Sequence, residues 1–245
     1  MKKPSFPFPL TQEQIQHKRA RILTRLLAAD EGFSCIPVKS ISAQTLDLML
    51  RLYDDLFLVG ALKHLGIRVT LSSRLTSAAG KFLYVRGAFG RITQSEIRMS
   101  SDFLFRLNQG PFELNGLCVS TPQEAFLLVF EHELCHALEA SLYGKTSHSD
   151  RFMALANGLF GHRASRHKLP TRRQEAADDG FLIGSRVRFL YNGTERNGII
   201  TYIGKTATVM VPASNGAYRD QRGRRYDKYR VQLNHLRKAE NSSFH

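Results

Sequence analysis

The chain has 245 residues, enough for one good-sized domain and one small one. Its 35 Lys and Arg against 21 Asp and Glu leave a formal net charge of +14, which favours nucleic acid or another anionic partner and says nothing of fold. Cys35, Cys118 and Cys135 are scattered without C-x-x-C spacing, which excludes a disulfide framework and a zinc ribbon, and no apolar run reaches the length of a membrane span. The opening MKKPSFPFPL has two lysines but no apolar core and is broken by prolines, so it does not read as a signal peptide. A reducing compartment, the cytoplasm, is expected, with nucleoid association if the source is bacterial.

Residues 1–10 read as a loose tail. Thr11 then starts an amphipathic helix with Gln14 three residues on; Ile15, Ile22, Leu23, Leu26 and Leu27 share one side and Gln, Lys and Arg fill the other. That helix is either a packing element with a solvated face or an arm that touches nucleic acid, and residues 1–44 are set apart as tail plus helix. Gly32 and Pro37 break the pattern before a second helix, Ala43 to Leu65, with Asp54 and Asp55 in its middle, paired or solvated but not catalytic. Ile67–Leu71, Lys81–Val85 and Glu96–Met99 read as strands of a small antiparallel sheet. Ser101 is expected to cap a short helix through Leu107, and Asn108–Ser120 reads as a loop with Gly110, Pro111 and Gly116. Helices, a small sheet and then a long helix make an α+β domain.

The long helix is Thr121 to Tyr143. Thr121 and Glu124 form a capping box, and Pro122 occupies the first helical position, where its missing N–H is harmless. The interior is apolar on most sides, so the helix belongs inside a domain. Yet its middle turn carries His132, Glu133 and His136, polar groups that cannot be buried without partners. Residues four apart share a helical face, so the two imidazoles address one point. This is the H-E-x-x-H pattern: two zinc ligands with Glu133 as general base. The bland reading is a chance match, against which stand the marked helix start and its apolar surroundings. A third ligand is needed. Glu139 shares the face but reads more simply as a solvated or supporting group. His148 follows the helix-ending Gly144 and precedes a new helical run, Arg151 to Gly161, so that a reversing loop returns it to the metal. His162 and His167, in a basic segment beyond, read as surface histidines. His148 is the favoured ligand, with one Zn2+ as the cofactor. Tyr143 and Arg151 lie near enough in sequence to be weighed as groups that steady an oxyanion.

His132-Glu133-Leu134-Cys135-His136 followed by His148 and, four residues on, Phe152 resembles the SprT-like zinc metallopeptidases. Upstream, Leu52-Tyr53-Asp54-Asp55-Leu56-Phe57, Ser73-Arg74-Leu75-Thr76, Ala79-Gly80-Lys81 and Ile97-Arg98-Met99-Ser100 match that family's pattern in order. The resemblance covers roughly Leu46 to Leu169. It implies a metallopeptidase domain over residues 45–170 and protein substrates associated with DNA, crosslinked adducts among them. By analogy with such enzymes, the strand ending at Ser100 is expected to be the sheet edge that holds the substrate. Two departures stand out: Ser149 follows His148 where the family often has glycine, and no Cys-rich ribbon follows the domain.

Arg163 to Asp179 turns polar, and residues 171–180 read as a linker. Period-two alternation then marks four strands, at Val187 and Phe189, Ile200 and Tyr202, Val209 and Val211, and Tyr229 and Val231, with turns at Asn192-Gly193 and Gly204-Lys205. A small all-β SH3-like barrel over residues 181–240 is expected, with a tail at 241–245. Arg219, Arg222, Arg224, Arg225, Lys228 and Arg230 cluster in sequence around Tyr218, Tyr226 and Tyr229: cations for phosphates and rings for unpaired bases of single-stranded or junction DNA. The plain alternatives are a solvated hairpin whose tyrosines belong to the core, or a barrel that binds protein. Two functions of different class follow. One is a zinc-dependent endopeptidase brought to DNA by its C-terminal part; the other is a zinc-stabilised module that binds nucleic acid or the transcription machinery, without turnover.

Overall fold

The computed structural model describes residues 8–108, 110–165 and 172–239. The chain divides after Leu169 into two units. In the first, α1 (Gln12–Ala29) starts at Thr11, whose Oγ1 accepts the Gln14 N–H at 3.2 Å while Gln14 Oε1 accepts the Thr11 N–H at 2.9 Å. Ile15, Ile22 and Leu26 form its buried stripe and join the core of this unit, so α1 is a packing helix of the same body as the sheet. A single turn, α2 (Glu31–Ser34), is capped by Asp30, and α3 (Ala43–Tyr53) by Ser42.

The helix expected to run to Leu65 leaves α-geometry after Tyr53. A π-helical turn covers Asp54–Leu58, Val59 and Gly60 take left-handed φ of 54° and 80°, and a 3₁₀ turn follows at Lys63–Leu65. Asp54 is the local reason: buried, its Oδ1 accepts the Leu62 N–H at 2.9 Å, and such side-chain bonds compete with a regular ladder.

Strands β1 (Ile67–Ser72), β2 (Gly80–Arg86) and β3 (Ile92–Ser100) form a sheet in the order β1-β3-β2. It is mixed, not antiparallel as expected, because β3 inserts between the other two, antiparallel to β2 and parallel to β1. Residue 100 rather than 101 caps α4 (Ser101–Leu104): Ser100 Oγ accepts the Phe103 N–H at 3.2 Å, and the helix stops short of Leu107. The expected loop before the long helix contains a hairpin, β4 (Phe112–Leu114) and β5 (Leu117–Val119). Asn115 and Gly116 turn it with φ of 53° and 72°, the left-handed pair that suits a two-residue hairpin.

The long helix α5 (Pro122–Tyr143) begins as expected, Thr121 Oγ1 accepting from the Glu124 N–H at 3.2 Å and Glu124 Oε2 from the Thr121 N–H at 3.0 Å. It ends at Gly144, whose φ of 80° is the left-handed cap that glycine adopts without strain. It is buried on nearly all sides, against β2 and β3, α1 and α6 (Asp150–Phe160).

In the second unit, α7 (Arg172–Asp178) occupies the stretch expected as a linker, and its Ala176 is buried in that unit's core. Strands β6 (Arg186–Tyr191), β7 (Thr194–Ile203), β8 (Ala207–Pro212), β9 (Tyr218–Arg219), β10 (Arg225–Val231) and β11 (Arg237–Lys238) form one antiparallel sheet, β11-β6-β7-β8-β10-β9. The four expected strands are present, with β9 and β11 added at the two edges. Val187, Phe189, Ile200, Val209, Val211 and Val231 bury one face at period two. Across the described residues the protein is α+β with seven α-helices, and none of them is long and apolar enough to cross a membrane.

Candidate metal centre

Three imidazoles converge at the C-terminal half of α5. His132 Nε2 lies 3.1 Å from His136 Nε2 and 3.1 Å from His148 Nε2, and the three donor atoms lie within 4.8 Å of one another. The helix supplies the first two by its four-residue repeat; the loop between Gly144 and α6 returns the third. The arrangement fits a metal ion. Nitrogens bonded to a tetrahedral ion at about 2.0–2.1 Å stand about 3.3 Å apart, close to the separations of His132 Nε2 from the other two. Neutral imidazoles suit zinc and its neighbours in the first transition row. His132 is buried, His136 half-buried and His148 exposed, so one side of the cluster opens to solvent.

The surroundings hold these rings in place. Phe152, on the first turn of α6, sits beside all three, with ring centroids 4.5 Å from His136, 4.8 Å from His132 and 5.1 Å from His148. Thr146 Oγ1 is 2.5 Å from His136 Nδ1; a proton donated there leaves the Nε2 lone pair facing the cluster. Glu139, weighed above as a ligand, has another task. It is buried and accepts from the Ser147 N–H at 2.6 Å, the Ser147 hydroxyl at 3.0 Å and the Ser149 hydroxyl at 3.3 Å. Its carboxylate therefore anchors the loop that carries His148, and Ser149 joins the anchor. Glu139→Gln turns an amide N–H2 toward these donors, so metal affinity is expected to fall about 10- to 100-fold, as when supporting partners of metal ligands are removed. Competition with a chromogenic chelator measures this; unchanged affinity would show that the loop holds its place without the anchor.

Glu133, the residue after His132 in α5, is buried and accepts a hydrogen bond from the Phe82 N–H of β2. Burial pushes its carboxyl up to about 8, and the Phe82 amide only partly offsets this. Gly80 makes the approach of β2 possible: a Cβ there would lie 2.8 Å from Glu133 Cγ and Oε1 and 2.9 Å from Val129 Cγ1. The strand beside Glu133 is thus β2, an edge of its sheet. The strand ending at Ser100 is not an edge, since β3 pairs with β1 on one side and β2 on the other and the Ser100 N–H is taken by Ala79 O at 2.9 Å. Tyr143 and Arg151, weighed as oxyanion groups, pack on each other at 5.1 Å from guanidinium to ring centroid and are both exposed.

Beneath the site lies a network that sequence reading missed. Glu131, fully buried, accepts from Arg19 Nε at 2.8 Å and Nη2 at 2.7 Å and from the Tyr53 hydroxyl at 2.8 Å, and its Oε2 is 2.9 Å from His162 Nε2. Burial would raise the Glu131 carboxyl, but the Arg19 charge and the His162 and Arg19 hydrogen bonds outweigh it and hold it at about 2. His162 is therefore a core residue and not the surface histidine expected; His167 lies outside the described residues. The one available signal was an ionisable residue, Glu131, on a helix apolar around it.

The six basic positions of the second unit are spread over β9, β10 and the turn between them. Arg224 is tied to Asp220 at 2.8 Å in the turn before β10, where Arg222 also lies; Arg219 and Arg225 face each other across the β9–β10 pair. Lys228 and Arg230 alternate with inward-facing Tyr229 and Val231 and project to solvent. Of the three tyrosines, Tyr226 bonds Asp220 at 3.1 Å and Tyr229 packs on Phe189 and Tyr191, so Tyr218 alone of them is exposed.

No family model, curated protein or solved structure matches this chain.

Proposed function

We propose that the first unit is a zinc-dependent endopeptidase of the SprT-like type, in which His132, His136 and His148 hold the ion and Glu133 is the general base. The convergence of three imidazoles, two of them on the turn of α5 that also carries the buried Glu133, supports this reading. Bound zinc would supply Lewis acidity toward a peptide carbonyl and lower the pKa of water. Glu133 takes the proton of the attacking water and delivers it to the leaving amine. Edge strand β2, anchored to Glu133 through the Phe82 N–H, is the element beside which an extended substrate backbone lies. The strongly basic chain favours protein substrates associated with nucleic acid, and the SprT-like resemblance would add proteins crosslinked to DNA. The antiparallel sheet of the second unit, with one face buried around a single small core, is read as an SH3-like barrel.

Metal analysis of the wild type beside His148→Ala tests the ligand set. About one zinc per chain is expected in the wild type, as in sites with three protein ligands, and most of it should be lost on removing His148. Equal zinc in both would remove His148 from the site. Hydrolysis of an unfolded protein, with and without single-stranded DNA, tests the chemistry; stoichiometric zinc with no cleavage in either condition would favour a non-catalytic zinc-stabilised module.

A further inference from the structure

The solvent face of the second unit's sheet carries a feature independent of the metal centre. Lys228 and Arg230 of β10 pair across to Met210 and Thr208 of β8, and Thr208 pairs on its other side with Tyr202 of β7. These outward residues, with Tyr218 and Lys205, line a groove of about 470 Å³. The two rings are out in solvent, Tyr202 at 58% and Tyr218 at 47% relative exposure, although burial is where such side chains ordinarily gain most. Each is nonetheless held. The Tyr202 ring lies over Gly204, where a Cβ would come within 2.8 Å of it, and the Lys228 ammonium sits 5.4 Å from the Tyr218 centroid. Among the described residues three cations line the groove and no carboxylate does. Asp220 and Asp227 do not reverse this charge: the first is engaged by Arg224 and Tyr226, and the second is at an inward-parity position of β10.

We infer that this groove binds single-stranded nucleic acid, its bases stacking on Tyr202 and Tyr218 and its phosphates meeting Lys205, Lys228 and Arg230. Exposed, positioned rings interleaved with unpaired cations match a strand whose bases are free to stack; a duplex hides those faces, and an apolar peptide gains nothing from the cations. The groove lies wholly within the second unit, so binding there stands whether or not the first unit cleaves peptide bonds.

Fluorescence anisotropy of the full-length protein with a labelled oligothymidylate, over a range of salt, tests it. Binding should weaken linearly on a log–log salt plot. Tyr202→Ala and Tyr218→Ala should each weaken it about 5- to 100-fold, whereas Tyr202→Phe, which keeps the ring, should leave it within about twofold. Lys228→Gln should reduce the salt slope by about 0.7, the value for one phosphate contact on a single strand. All of these positions are exposed, and thermal unfolding of each variant confirms that it folds. Wild-type protein that does not bind, alanine variants that bind like the wild type, or a duplex that competes as well as the single strand would each overturn the assignment.

Discussion

Glu133→Gln is expected to leave zinc content at the wild-type level and to lower kcat for peptide hydrolysis about 100- to 10,000-fold, the range that a general base contributes. The substitution is nearly isosteric, and the amide oxygen can still accept from the Phe82 N–H, so β2 and α5 keep their contact. The supports of the three imidazoles, Thr146, Phe152 and the Glu139 anchor, are untouched. What disappears is the ability to accept a proton. A fall in kcat with KM little changed would mark an interaction made in the transition state. Full activity in the glutamine variant would end the general-base assignment while leaving the metal site standing. Loss of zinc would show instead that the carboxylate supports the site.

Arg19→Met is expected to destabilise the protein by about 3–5 kcal/mol, the usual cost of removing one partner from a buried ion pair. Glu131 has no exposed side-chain surface, and Arg19 gives it two of its hydrogen bonds while also donating to Phe160 O at 2.8 Å. Methionine fills much of the volume but donates nothing. The carboxylate then keeps only Tyr53 and His162 as partners in an environment that penalises charge. Urea unfolding at neutral pH, compared by midpoint and slope, gives the difference; a change under about 1 kcal/mol would place the network among contributions no larger than a surface pair. Because Glu131 directly precedes His132, the same variant should also loosen the turn of α5 that presents His132 and His136.

The parts legible in the chain are those governed by short-range geometry. A helical repeat of 3.6 residues puts His132 and His136 on one face whatever packs around them. The Thr121–Glu124 box and Gly144 mark the ends of α5 through bonds made within four residues. Period-two alternation and Asn192-Gly193 announce the β6–β7 hairpin for the same reason. His148 was reachable because a glycine stop and a new helix start leave few ways for so short a loop to turn.

What tertiary structure alone decided involves partners far apart along the chain. Glu131 meets Arg19, Tyr53 and His162 across separations of 112, 78 and 31 residues, and no local pattern encodes those meetings. Whether β3 is an edge or a centre depends on where β1 docks, which alternation within β3 cannot reveal. The same holds for Tyr202 and Tyr229: both sit in strands, but the sheet's buried face takes one ring and leaves the other in water. Burial of a face is a property of the assembled core, because only the whole chain can exclude water from it.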